Sequence, residues 1–457
     1  MAGEAAPKEI PPPAAGDVGF VLISTALVMI MIAGLGYFYA GMARDKSALS
    51  LMLISLVSLS IVMIQWFVIG YSLTFSTTSG AFLGNGQFAF FMGVGGDQTV
   101  IASLPNLAYA LFQGMFAAIT PALAVGSIAE RFNLIPMCVF MVVWTTLVYD
   151  PIAYWHWGAN GWLNALGALD FAGGTPVHIA SGYAGLALAL YCGKRRVSDD
   201  PFKPHSMSSV ILGTSLLWFG WYGFNGGSAG AANARAALAM VTTTLAAALG
   251  GLTWLVIDYV RDRRVSALGF CSGVVSGLVA ITPACGHVSP ASSLAFGFLG
   301  GFVCNYASRL KHQLRFDDTL DAFGIHGVGG TLGGFLTGIF ADKAFIALDG
   351  TEKLGGAMSG HPMQIVYQLA SIGAGIGWSF FVTLAIAFIM DKCGLKLRAS
   401  AEDEEYGMDH AQMGEFVHDY VADRVSNSIE MKRSGSRDIA AVPRISDQSQ
   451  EPAKLIE

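Results

Sequence analysis

The chain has 457 residues, of which 53% are hydrophobic and only 13% charged, with a formal net charge of −6. Its mean hydropathy is +0.54. Soluble domains carry roughly 25% charged residues, so this composition excludes a water-soluble globular protein and points to a membrane one.

In chain order, residues 1–17, "MAGEAAPKEIPPPAAGD", form an acidic, proline-rich tail. No basic stretch precedes a short apolar core and no small-residue cleavage pattern follows. No cleavable signal peptide is therefore expected, and the first span serves as its own targeting signal. From there, apolar runs long enough to cross about 30 Å of hydrocarbon recur to residue 390. They fall near 18–42, 50–74, 103–127, 133–150, 173–193, 207–226, 236–260, 266–283, 290–309, 319–341 and 364–390. Eleven transmembrane helices are predicted, making residues 18–390 one all-α membrane domain. The 56 glycines suit helices whose backbones approach closely.

Basic residues stay on the cytoplasmic side. With the N-terminus outside, the inner loops hold thirteen of them, including Arg44, Arg131, Lys194, Arg195, Arg196 and Lys311. The outer side holds four: Lys8, Arg235, Lys343 and Lys353. An odd span count agrees with this bias, so the N-terminus is expected outside and the C-terminus inside. Residues 391–457 turn abruptly polar and read as a cytoplasmic extension, helical at first, with disorder expected over about the last 25 residues. "RRVSDD" places Ser198 after two arginines in an inner loop, and Ser436 follows Arg433 by three, giving two short patterns for a kinase. The six cysteines show neither disulfide nor zinc spacing, and no glycosylation sequon occurs.

The fifth span opens with "DFAGGTPVH" and the tenth with "DTLDAFGIHGVGGTLGG". Each combines Asp, glycines and a His at a span start, in corresponding members of two sets of five. Sets of five run oppositely through a membrane, which is the inverted-repeat plan of many transporters. This predicts two five-helix halves plus one extra helix. His178 and His326 sit inside those spans, where ionisable groups are costly and commonly line a pathway. Each could also be a neutral histidine satisfied by nearby backbone, but two at matching places favour a pair that passes a proton. Asp170 and Asp321 precede them by eight and five residues. Helix capping is the plain role for both, and Asp170 can also favour a nearby cation. Phe112 and Phe116 share one face of the third span, Phe224 and Ser228 have the same spacing, and Trp155 and Trp157 sit at an outer loop edge. Individually these suit packing; together they suit a cation-π site.

The segments "FQGMFAAITPALAVGSIAER", "DFAGGTPVHIASG", "GWYGFNGGSAG" and "FDDTLDAFGIHGVGGTLGGFLTGIFA" closely resemble the signatures of the ammonium transporter family (Amt/Mep/Rh). Their order and spacing match across the whole membrane domain. "RRVSDDPFKPHS" and "QWFVIGYSLTFS" look most like the fungal ammonium permeases. The resemblance implies a homotrimer with one pore per subunit in the plasma membrane, taking ammonium and methylammonium. It also implies an outer recruitment site at Trp157, Phe112 and Ser228, a phenyl gate at Phe116 and Phe224, paired pore histidines at His178 and His326, and a required acid at Asp170. Trp157 lies thirteen residues before Asp170, one more than in bacterial members, which leaves Trp155 as the alternative. The tail resembles the family's regulatory C-terminal region, a place for a kinase or regulatory protein. Neither a cofactor nor a nucleic-acid partner is expected.

Two other readings compete. One is an ammonium sensor that signals through the polar tail. The other is a redox protein with His178 and His326 as axial haem ligands, although two histidines on one helix at ring-clamping spacing are not found. No nucleophile, oxyanion donor or phosphate loop stands out, so no enzyme is expected.

Overall fold

The structure, a computed structural model, describes residues 12–196 and 203–422, so Ser198 and Ser436 lie outside the described residues. Apart from an isolated bridge between Phe132 and Arg398, its regular structure is helical. The long helices are α1 (Ala15–Met42), α2 (Ala48–Gln65), α3 (Asn106–Val125), α4 (Leu134–Trp144), α5 (Ala180–Cys192) and α6 (Met207–Trp221). They continue as α7 (Ala234–Asp262), α8 (Ala267–Ile281), α9 (Pro290–Leu314), α10 (Val328–Phe340) and α11 (Met363–Lys392). Among the described residues, seven helical stretches are apolar and long enough to cross a membrane, and Ala267–Ile281 is apolar but shorter.

Local chemistry starts several of these helices. Ser206, Asn233, Ser266 and Ser289 each accept a hydrogen bond from the backbone amide three residues on, at the starts of α6, α7, α8 and α9. Such caps contribute about 1 kcal/mol each. Other helices are extended by wide π turns, which are rare and concentrate at functional sites. These turns span Trp66–Gly70, Thr145–Tyr149, Gly174–Ile179, Tyr222–Gly226 and Phe323–Gly327. The one at Thr145–Tyr149 carries α4 onward into the helix Asp150–Trp157. Trp155 and Trp157 therefore occupy a helical last turn rather than a loop edge.

Packing repeats every five helices. α3 packs on α1, α2 and α5, while α8 packs on α6, α7 and α10. α5 lies against the π turn Phe323–Gly327, and α10 lies against the π turn Gly174–Ile179. α1 against α6 is the broadest contact and joins the two sets. Where the sets cross, a Cβ on Gly182 would stand 2.0 Å from the Gly327 nitrogen, so only glycine permits that approach. α3 is the central helix, 94% buried over its most apolar stretch against 33% for α11. Leu22, Ile64, Phe67, Val256 and Phe381 are exposed on the outside, as a lipid-facing surface requires.

Past α11 the chain folds back over the loop between α3 and α4. The Asn133 amide donates to the Leu397 carbonyl and the Ala399 amide to the Arg131 carbonyl. Two short helices, Ala401–Tyr406 and Met408–Met413, follow, in agreement with the helical start expected for the tail.

Candidate pore

Backbone accounting explains the stretch that opens the fifth span. Asp170 accepts from the amides of Gly173 and Gly174, both at 2.8 Å, and from Thr175 at 2.6 Å. The amides of Val177 and His178 donate to the Gly173 carbonyl at 3.1 and 3.2 Å. Between these sets of donors stands Pro176, which has no N–H to satisfy.

The tenth span repeats the device with a different residue from the one expected. Asp318 accepts from Ala322, Phe323 and Gly324 at 3.1, 2.9 and 3.2 Å. Asp321 does not cap with its side chain, which pairs with Lys311 at 2.7 Å. Capping belongs to Asp318, eight residues before its histidine as Asp170 is before His178. That shared spacing was present in the sequence and was obscured by the nearer Asp321.

Both π turns deliver a histidine to the centre. His178 and His326 are 1% and 4% exposed, and their Nδ1 atoms are 3.2 Å apart. One ring must donate and the other accept, so the pair shares one hydrogen. A haem clamp would hold the rings on opposite faces of a macrocycle; here they touch, and the axial-ligand reading fails. His178 also stacks on Trp221 and Phe224, at 5.4 and 6.0 Å between centroids. Trp221 was missed in the sequence, where it reads as one more apolar residue of the sixth span.

On the α3 side of the histidines, Phe116 and Phe224 stack at 4.1 Å with planes 30° apart. Phe112 meets Phe116 edge-on at 5.0 Å. Trp157 meets Phe116 at 6.3 Å and donates to the Asp170 carbonyl at 3.2 Å. Trp155 turns away, donating to the Phe82 carbonyl at 2.7 Å and packing on Trp162 and Trp378. The neighbour of the phenyl stack is thus Trp157. Ser228 donates to the Phe224 carbonyl at 2.8 Å, which leaves its oxygen free to accept. Phe112 packs against the adjacent Gly227, whose Cβ would come within 2.8 Å of its ring. Nearby, the Arg235 guanidinium lies 5.0 Å over the Phe171 ring and bonds Asp349 at 2.8 Å, fixing the residue next to Asp170.

The two histidines also line a narrow apolar passage whose walls include Leu35, Leu123, Leu217, Val275 and Ile325. Asp321, on the wall of that passage, also lines a polar vestibule with Arg195, Asp258, Lys311 and Asp317. Arg195 grips Asp317 at 2.8 and 3.0 Å and reaches Glu130, which also binds Arg44. Burial alone would raise the Asp317 carboxyl, but the Arg195 hydrogen bonds and the charges of Arg131 and Arg195 bring it below the usual range.

Known proteins with this sequence and shape agree with one another. The sequence model of the Ammonium Transporter Family matches residues 19–418. Ammonium transporter 1 of Schizosaccharomyces pombe is 47% identical over 410 residues, covering 89% of this chain and 82% of that protein. Ammonium transporter MEP2 of Saccharomyces cerevisiae is 46% identical over 430 residues, covering 92% and 86%. The crystal structure of Candida albicans Mep2 superposes with a TM-score of 0.84 at 44% identity, covering 92% of this chain and 94% of that one. On a match of this extent and identity, the chain belongs to the ammonium transporter family and resembles its fungal permeases.

Proposed function

We propose that this protein carries ammonium inward across the plasma membrane, capturing it outside as the cation and passing it through the pore as neutral ammonia. The observation that carries the reading is the buried His178–His326 pair, 3.2 Å apart between a phenyl stack and an apolar passage. Ammonium resembles potassium in size and charge, so a carbonyl cage alone would separate them poorly. A dry passage rejects both ions, yet ammonium alone can shed a proton and cross.

Trp157, Phe112 and Ser228 form the outer cation-π site, with Asp170 shaping the local field. Deprotonation occurs near the Phe116–Phe224 gate. Ammonia then passes the histidines, and the proton returns along the shared hydrogen or a thread of water, so net uptake is electrogenic. Eleven spans arranged as an inverted repeat, outside N-terminus and inside C-terminus, complete the subunit, and three copies form the transporter. The domains are residues 1–17, 18–390 and 391–457. The test is methylammonium uptake and ammonium-evoked current for the parent beside His178→Ala and Asp170→Ala. Loss or altered selectivity supports the assignment, and unchanged transport and selectivity in both defeats it.

A second reading, ammonium sensing with the tail as output, is favoured by how the tail is held. Asp409 accepts from the amides of Leu49 and Ser50 at 2.9 and 2.8 Å. Glu404 accepts from the Arg196 amide at 2.9 Å and from Arg398 at 2.7 Å. A kinase or regulatory protein acting there would change these contacts. A tail truncation that keeps uptake and abolishes the downstream response would separate the two readings; one that changes neither removes sensing.

A further inference from the structure

The internal repeat contains one mismatch. Three residues after each capping aspartate the backbone turns left-handed, at Gly173 (φ 111°) after Asp170 and at Asp321 (φ 58°) after Asp318. Glycine takes that conformation freely, whereas Asp does so at a cost. Strained backbone persists where the surroundings hold it, and it clusters where function uses it. Asp321 also has a singular position: among the described residues it alone lines both the apolar passage that the histidines line and the polar vestibule. A carboxylate stands where the apolar lining meets the polar one.

The surroundings fit a group that trades a proton with an ammonium-like nitrogen. Lys311 of α9 holds Asp321 at 2.7 Å and also donates to the Asp318 carbonyl at 2.7 Å. Its head group is itself a primary ammonium, so carboxylate and carbonyl already bind that chemistry side by side. The charged and titratable groups facing Asp321 are Lys311 from α9, Tyr39 from α1, Asp317 and Asp318 from its own segment, and His326 deeper in the pore. Ser308 and Cys304 of α9 add a hydroxyl and a thiol.

Resting on the proposed function, we propose that Asp321 is where ammonia leaving the pore regains its proton. An N–H bond forms as the carboxyl O–H breaks, its electron pair remaining on oxygen. Ammonium departs into the vestibule, and the carboxylate takes up the proton that was released outside and returned past His178 and His326. One proton enters and one leaves in each cycle. Lys311 keeps the carboxylate at the mouth, and asymmetry between the two halves gives the pore a proton-accepting inner end.

The full chain in proteoliposomes tests this with Asp321→Asn, which tolerates the left-handed backbone, and Asp321→Gly, which restores the residue of the other half. Both are expected to elute and retain helicity like the parent while ammonium-evoked current falls about a hundredfold. Parent-level current in either variant overturns the proposal, since the carboxylate would then be dispensable. Lys311→Gln keeps the carboxylate but removes its counter-charge, which should shift the pH of half-maximal current upward; an unmoved pH profile also counts against it. A parent without current would instead sink the transport reading itself, and so the two failures are distinguishable.

Discussion

Between His178 and His326 one hydrogen is shared, so each ring's orientation depends on the other. Replacing His178 by Ala leaves the His326 nitrogen without its partner, a loss of about 1–3 kcal/mol for a buried polar group. With the proton-passing pair broken, ammonium-evoked current should also fall about a hundredfold, which current recordings can check. The tryptophans give a sharper contrast. Trp157→Leu removes a cation-π contribution of about 2 kcal/mol, so half-saturation for methylammonium should rise about thirtyfold. Trp155→Leu, whose ring packs on Trp162 and Trp378, should leave half-saturation within about twofold. Equal effects in uptake assays would contradict this division. The histidines were legible as residues because ionisable groups in apolar runs are conspicuous. The choice between Trp155 and Trp157 was not, because it depends on which way one helical last turn faces.

At the scale of elements, the two π turns that carry the histidines depend on their capping aspartates. Asp170→Ala strips three amides of their acceptor, and Asp318→Ala does the same in the other half. Each should lower stability in detergent by about 1–3 kcal/mol per amide left buried, seen as a lower melting temperature, and should reduce transport as well. A transport loss with unchanged melting would show that Asp170 acts only through its charge. The loop that leads into the tenth span responds to acid. The Asp317 carboxyl is depressed when folded, so its contribution is complete above the unfolded value of about 3.9 and is lost as pH falls through the lower folded value. Asp317→Asn should therefore be less stable than the parent at neutral pH and converge with it in acid, as thermal scans across pH would show. Helix positions were readable from apolar runs. The π turns were not, because one extra residue per turn does not alter composition, and the Asp318 cap was hidden by the more prominent Asp321.

For the molecule as a whole, the repeated packing of α3 and α8 and the crossing at Gly182 and Gly327 hold the pore together from two sides. Gly182→Leu should disrupt both halves at once, abolishing folded protein on size-exclusion chromatography, since its Cβ would meet Gly327 backbone at 2.0 Å. The overall plan was visible in the sequence because a membrane demands long apolar runs and because "DFAGGTPVH" and "DTLDAFGIH" are alike. Contacts of the tail with Leu49, Ser50 and Arg196 were not, being set by side chains more than 200 residues apart. The central claim is that ammonium enters with its charge although it crosses the pore as ammonia. Purified, folded protein in liposomes settles it most directly: the account requires an ammonium-dependent inward current, and its absence would contradict the proton step.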